Sequence, residues 1–252
     1  MAKSTENARP APGRIEPADV FALLTGLFVG LCLLKFGNPV IFDGRIIVPQ
    51  NLSEMVDTVW PVAWGYGLLG FLGLAACFVG RPKPTKPKWM LFLPMIWLVW
   101  QGLSATQTVN GTLTAAVLPH FVGCVASFYL GWFALSETRR PWLFWLGVLP
   151  GLILVFRVGI AQHFGGLEAT RRHFEVYILP TLKDPPADLI KKMATPRIFS
   201  TLFYPNTLAG VIILLLPATL LTLHGLTNRL QLVSRIIILG IIATTGLACL
   251  YW

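Results

Sequence analysis

The chain has 252 residues, of which 55% are hydrophobic and only 12% charged, about half the charged fraction of an ordinary soluble protein. With 20 Lys and Arg, 11 Asp and Glu and a mean hydropathy of +0.67, it cannot coat a water-facing surface around that much apolar mass. A soluble domain is excluded, and lipid is the solvent for much of the chain. The net charge of +9 therefore reads as asymmetry across a bilayer, and no nucleic-acid partner is expected.

Residues 1–19 form a polar tail carrying Lys3, Arg9 and Arg14. A helix needs about 20 mostly apolar residues to cross the hydrocarbon core. Seven segments follow that pattern in chain order: Val20–Phe36, Trp60–Gly80, Trp89–Ala105, Leu113–Leu135, Trp142–Ala161, Thr207–Leu223 and Ile236–Trp252. The first is a retained span, because it follows a long polar tail, lacks a small-x-small cleavage site and runs on through Lys35. Five spans make an N-terminal membrane bundle over residues 20–161, two more lie within 207–252, and residues 162–206 form the longest connection. The expected fold is an all-α membrane protein of about seven transmembrane helices, with short amphipathic helices in the 162–206 loop.

None of the segments carries a strong polar stripe. Gly26-Leu-Phe-Val-Gly30 and Gly65-Tyr-Gly67 would let backbones approach closely, and generic packing is the preferred account of both. Trp60, Trp89 and Trp142 open their segments where an interfacial aromatic belt belongs. Cys32, Cys77, Cys124 and Cys249 all lie in apolar runs, with neither a disulfide framework nor metal spacing; buried, inert thiols are expected. No nucleotide-binding Gly-rich loop, paired-carboxylate constellation or zinc motif occurs, so neither metal nor cofactor is expected.

Short loops set the orientation. Arg81-Pro-Lys83-Pro-Thr-Lys86-Pro-Lys88 carries four cations and no anion, and Glu137-Thr-Arg139-Arg140 and the Arg229/Arg235 linker are also basic. Their alternates are poor in cations: residues 37–59 set Arg45 against Asp43, Glu54 and Asp57, and residues 106–112 carry no charge. Grouping the loops this way gives one side 11 cations and 4 anions and the other 9 and 7. The positive-inside bias then places the N-terminus in the cytoplasm. Seven spans from an inside start end outside, and the stop at Leu250-Tyr251-Trp252 reads as the truncated end of a longer parent.

The 162–206 loop opposes that bias. It holds Arg171, Arg172, Lys183, Lys191, Lys192 and Arg197, with Arg157 just inside the preceding span. An anionic ligand would account for cations kept on the outer side. Glu168 with Arg172, and Arg171 with Glu175, form i,i+4 pairs that would support an exposed helix, and Leu167, Phe174 and Ile178 would give it an apolar face. Lys191 and Lys192 fall near the end of a second short helix after Pro185-Pro186, where snorkelling towards lipid phosphate explains them. Arg157 admits two readings, snorkelling or function, since an ionisable residue deep in an apolar run is a functional candidate. Arg197 has no acidic residue within five positions on either side. Asn206 is placed to cap the next span, whose positive dipole end would face an anion at the membrane surface.

Gly165-Gly-Leu-Glu-Ala-Thr-Arg-Arg172, followed by Arg197-Ile-Phe-Ser-Thr-Leu-Phe-Tyr-Pro-Asn206-Thr-Leu-Ala-Gly210 and a Leu-rich span with Pro217, resembles the O-antigen ligase / O-antigen polymerase family. Many members carry Arg-x-x-Gly-Thr-Phe-x-x-Pro-Asn entering a transmembrane helix. Ser200 here replaces the Gly and Leu202 the Phe. The specific part covers about 45 residues, and the earlier segments match only in hydropathy.

The resemblance implies a polytopic glycosyltransferase of the bacterial inner membrane, with GT-C-like helical architecture and a periplasmic active site. Such enzymes transfer glycan from an undecaprenyl-diphosphate carrier to lipid A-core or another glycan acceptor, among membrane lipids and without a metal. Arg197, at the matching position, would bind the donor diphosphate, with Arg157, Arg171 and Arg172 as further candidates; Asn206 and Tyr204 would cap the helix and shape the site. A histidine in a later periplasmic loop is the base the family implies. His120 and His224 lie in or at the ends of apolar segments, and nothing in the sequence singles out His163 or His173 in the 162–206 loop, so none is assigned that role. The competing readings are a membrane transporter of the bicarbonate type and a non-catalytic scaffold. Transport would call for polar groups at the midplane, which is almost free of ionisable residues.

Overall fold

The computed structural model describes residues 15–39, 43, 46, 48–80, 88–181, 190, 194 and 197–251, and among these the regular structure is helical, without strands. In chain order the helices are α1 (Pro17–Lys35), α2 (Leu52–Asp57), α3 (Val62–Val79), α4 (Leu93–Ala105), α5 (Gly111–Phe133), α6 (Trp142–Ala161), α7 (Leu167–His173), α8 (Pro205–Leu226) and α9 (Leu232–Tyr251). Six of them, α1, α3, α5, α6, α8 and α9, are long and apolar enough to cross a membrane.

The seventh expected span is the exception. Trp89–Ala105 yields only the 13 residues of α4, after a 3-10 turn over Lys88–Leu91. Pro94, which has no N–H to donate, sits in the first turn and delays the start of the α-helix. At 1.5 Å per residue α4 is about 20 Å long, short of a bilayer core of about 30 Å. It nevertheless runs antiparallel to most of α5. The Tyr129 hydroxyl donates to the Leu91 carbonyl at 2.5 Å near one end, Trp97 meets Phe121 with ring centroids 5.0 Å apart, and Ser104 and Thr108 share a small cavity with Leu113 at the other end.

Helix ends follow local chemistry. Glu16 and Asp19 form a reciprocal capping box with Pro17 in the first turn, so α1 begins three residues before Val20. Asn110 caps α5 by accepting from Leu113 N–H at 3.0 Å.

The closest helix pair is α1 against α6, where glycine meets glycine. A Cβ on Gly26 would stand 2.0 Å from the Phe144 carbonyl oxygen, one on Gly147 2.6 Å from that of Leu23, and one on Gly151 2.4 Å from that of Gly30. Generic packing is therefore the wrong account of Gly26-Leu-Phe-Val-Gly30: it faces a second small-residue motif, Gly147-Val-Leu-Pro-Gly151, and any side chain would push the backbones apart. At Gly65 a Cβ would touch the Phe36 ring at 3.4 Å and at Gly67 it would meet nothing within 4 Å, so neither marks a close approach of backbones.

The main core lies where α1, α6, α8 and α9 converge on Leu33, Leu152, Val155, Leu208, Ile212 and Cys249. A smaller cluster of Phe21, Leu72 and Ala134 ties α1 to α3 and the end of α5. Between α3 and α5 a cavity of ≈ 910 Å³ opens past Gly70, Gly73, Ala76, Pro119 and Ala126. Of the four cysteines, Cys249 alone is buried; Cys32 is half-buried, and Cys77 and Cys124 are exposed. The expectation of four buried thiols is thus corrected, because in a membrane protein an apolar neighbourhood can equally be a lipid-facing one.

Polar contacts hold both ends of the bundle. At the end where α1 starts, Asp19 is 2% exposed, accepts from the Thr138 hydroxyl at 2.9 Å and lies 3.8 Å from Arg140, while Arg139 pairs with Glu16 at 3.0 Å. At the other end the Lys35 ammonium donates to the carbonyls of Val56 and of Thr58, the latter at 3.0 Å, and Trp60 N–H bonds the Lys35 carbonyl. Linkers 134–141 and 227–231 therefore share one end, and the described parts of 36–61, 106–110 and 162–204 share the other. Lys183, Lys191, Lys192 and the second short helix after Pro185-Pro186 lie outside the described residues.

Candidate functional site

The 162–206 connection begins where α6 can no longer continue as an α-helix. Gln162–Gly166 widens into a π turn containing Phe164 and Gly165 with non-helical backbone, and Gly165, at φ 105°, occupies a region that L side chains rarely adopt. A Cβ on Gly166 would stand 2.7 Å from the Ala161 carbonyl oxygen, so both glycines of the pair are required by shape. The chain then forms α7 and a second wide turn, Phe174–Ile178, whose Phe174 packs on Leu179, Phe199 and Phe203.

From Arg197 to Tyr204 the backbone folds into a hook seated in the end of the bundle. Ile198 and Leu202 are buried in the main core at 3% and 4% exposure. Ser200 and Phe203 have φ of 54° and 49°, left-handed conformations costing roughly 1–2 kcal/mol each for a side-chain-bearing residue. Side-chain hydrogen bonds oppose that cost. The Ser200 hydroxyl donates to the Val155 carbonyl at 2.6 Å, and the Thr201 hydroxyl donates to the Leu33 carbonyl at 2.7 Å.

Gln162, just past the end of α6 and only 6% exposed, reaches the hook with its carboxamide. Its Oε1 accepts from Ser200 N–H at 2.7 Å and Phe199 N–H at 3.1 Å, and its Nε2 donates to the Ser200 carbonyl at 3.1 Å. Irregular backbone buried among helices needs partners for its polar groups, and Gln162 supplies three of them. Sequence reasoning missed this residue. The available signal was a single amide at the end of an apolar run, with nothing to name a partner 38 residues away.

The predicted site residues fall in different places. Arg197 is exposed at the mouth of the hook, immediately before buried Ile198, and among the described residues it makes no hydrogen bond or ion pair. Arg157 is also exposed, but Val155, Gly159 and Gln162 define the face of α6 that receives the hook, and Arg157 lies half a turn away from it. Arg171 lies 3.5 Å from Glu168 and donates to the Ala194 carbonyl at 3.2 Å, while Arg172 is exposed. The expected i,i+4 pairs Glu168–Arg172 and Arg171–Glu175 are thus replaced by Glu168–Arg171 at a spacing of three, with Glu175 carried into the wide turn after α7. The structure thus places Arg197 at the start of the hook, Arg171 against the Ala194 carbonyl three residues before it, and Arg157 on the face of α6 away from the hook.

Asn206 is not the cap it was expected to be. Pro205 takes the first helical position of α8, which makes Tyr204 the cap residue without a side-chain cap bond and leaves Asn206 exposed in the first turn. The histidines scatter. His163 is exposed in the Gln162–Gly166 turn with its ring edge against Phe164, His120 is exposed on α5, and His224 meets Arg235 at the opposite end of the bundle. The His173 side chain lies outside the described residues.

Chemically, the arrangement offers an exposed guanidinium, Arg197, at the start of the hook, and a guanidinium is able to pair with an anion through its planar fork. No protein-family profile, curated protein or solved structure matches this chain.

Proposed function

We propose that this chain is the donor-binding part of an O-antigen ligase- or polymerase-like glycosyltransferase with GT-C-like architecture, in the bacterial inner membrane. It takes glycan from an undecaprenyl-diphosphate carrier at the periplasmic face and passes it to lipid A-core or another glycan acceptor. The observation that carries this reading is the hook. Ser200 stands at the glycine position of the Arg-x-x-Gly-Thr-Phe-x-x-Pro-Asn pattern, and its φ of 54° is backbone that a glycine adopts without strain. The pattern's proline, Pro205, opens α8, and its arginine, Arg197, is exposed at the mouth of the hook.

The chemistry follows from charge. Departure of the diphosphate builds negative charge on the leaving group, and a cation already held in place stabilises it without reorganisation. A guanidinium suits this role because its planar fork makes paired hydrogen bonds to phosphate oxygens and stays charged at any working pH. Arg197→Lys, made in the intact protein as its cell produces it, is expected to lower glycan transfer by roughly tenfold or more with unchanged insertion, since an ammonium lacks the fork. Wild-type transfer by that variant removes Arg197 from the mechanism. Bicarbonate uptake that depends on the protein, with no response to undecaprenyl-diphosphate, would favour the transport reading instead.

A further inference from the structure

We propose that Gln162 is a positioning residue, whose carboxamide fixes the hook so that Arg197 is presented to a diphosphate-bearing lipid. This rests on the reading of Arg197 given above. An amide buried among apolar helices is costly unless each polar atom is partnered, and all three hydrogen bonds of this one go to the hook, at Phe199 and Ser200. Two adjacent backbone N–H groups converge on Oε1 while Nε2 holds the carbonyl of the same turn, a combination of acceptor and donor that a carboxamide supplies and a carboxylate does not.

The same face of α6 receives the residues next to this turn. Gly159, one turn before Gln162 on the same face of α6, is bare where Ile198 packs: a Cβ there would stand 3.5 Å from Ile198 Cδ1 and 3.2 Å from Cys249 Sγ. Val155, a further turn back, accepts the Ser200 hydroxyl. Arg197 has no tether of its own among the described residues, so its place is set through the neighbouring residue Ile198 and, beyond it, through Gln162.

The test uses the whole chain in phosphatidylcholine nanodiscs, with two readouts. The first is the rate at which a charged methanethiosulfonate reagent labels Ile198→Cys, in a background whose native cysteines are replaced by alanine. The second is retention of undecaprenyl diphosphate, read by native mass spectrometry. Gln162→Leu removes all three bonds and is expected to raise labelling roughly tenfold or more, and to reduce lipid retention as far as Arg197→Gln does. Gln162→Glu keeps the acceptor and is expected to recover part of both, which a general packing defect would not permit.

If Ile198→Cys stays as protected with Gln162→Leu as without it, the hook is held by something else and the proposal is overturned. Increased labelling with unchanged lipid retention overturns it too, because the hook's position then does not govern binding. Equal retention by wild type and Arg197→Gln shows instead that the reading of Arg197 has failed, and the proposal falls with it. Should Gln162→Leu fail to accumulate, wild-type behaviour of Gln162→Glu in both readouts overturns the claim, and intermediate behaviour supports it.

Discussion

Ser200 holds a left-handed backbone while donating its hydroxyl to the Val155 carbonyl at 2.6 Å, so two opposing contributions meet in one residue. The conformation costs roughly 1–2 kcal/mol, and the hydrogen bond contributes about 1 kcal/mol in return. Ser200→Gly loses the bond and relieves the backbone, and is expected to leave stability within about 1 kcal/mol of wild type. Ser200→Ala keeps the strain and loses the bond, so it is expected to cost about 1–2 kcal/mol more than the glycine variant. Thermal unfolding in detergent checks the order, and equal stability of the two variants would remove the left-handed backbone from the account. At this scale the sequence was partly legible. A motif position usually filled by glycine could be noticed, but the φ that explains it could not, nor could the role of Gln162. Asn206 was misread because a good capping residue is recognised by type, whereas Pro205 decides which residue occupies the cap.

At the scale of elements, small residues behave in opposite ways according to what faces them. Gly26 and Gly151 bring α1 and α6 into backbone contact, whereas Gly67, Gly70 and Gly73 on α3 have nothing within 4 Å of an added Cβ. Gly26→Ala is therefore expected to destabilise by about 1–3 kcal/mol, through a clash with main chain that no rotamer change can relieve. Gly70→Ala, on a helix face beside the open cavity, is expected to be neutral or to stabilise by up to about 1 kcal/mol through better helix propensity. Parallel melting curves decide the matter, and similar losses in both variants would show that the α1–α6 contact is not the special one. The helices themselves were legible from apolar run length, with ends displaced by a few residues where Pro17, Pro94 and Pro205 set the first turn. Which glycine pairs face each other was not legible, because all of these runs are apolar nearly all round and none declares its partner.

For the whole molecule, the described linkers divide between two ends, and the reading proposed here puts the Asp19–Thr138–Arg140 end in the cytosol and the hook outside. In a cysteine-free background, Ser136→Cys is expected to label only from the cytosolic side and Thr108→Cys only from the opposite side. Labelling of both from one side would mean that α5, the helix between them, does not cross the membrane. Reversed sidedness would leave Arg197 facing the cytosol, where the proposed periplasmic chemistry has no place. Composition and run length alone pointed to lipid as the solvent and to a helical fold, and located the six helices that are long and apolar enough to cross a membrane. Those properties are local sums along the chain. The hook, the Gln162 clamp and the glycine-to-glycine crossing were decided only by tertiary structure, because each joins positions tens to more than a hundred residues apart. Hydrophobicity places a helix in the membrane without specifying its neighbours; close contact and hydrogen-bond geometry select them.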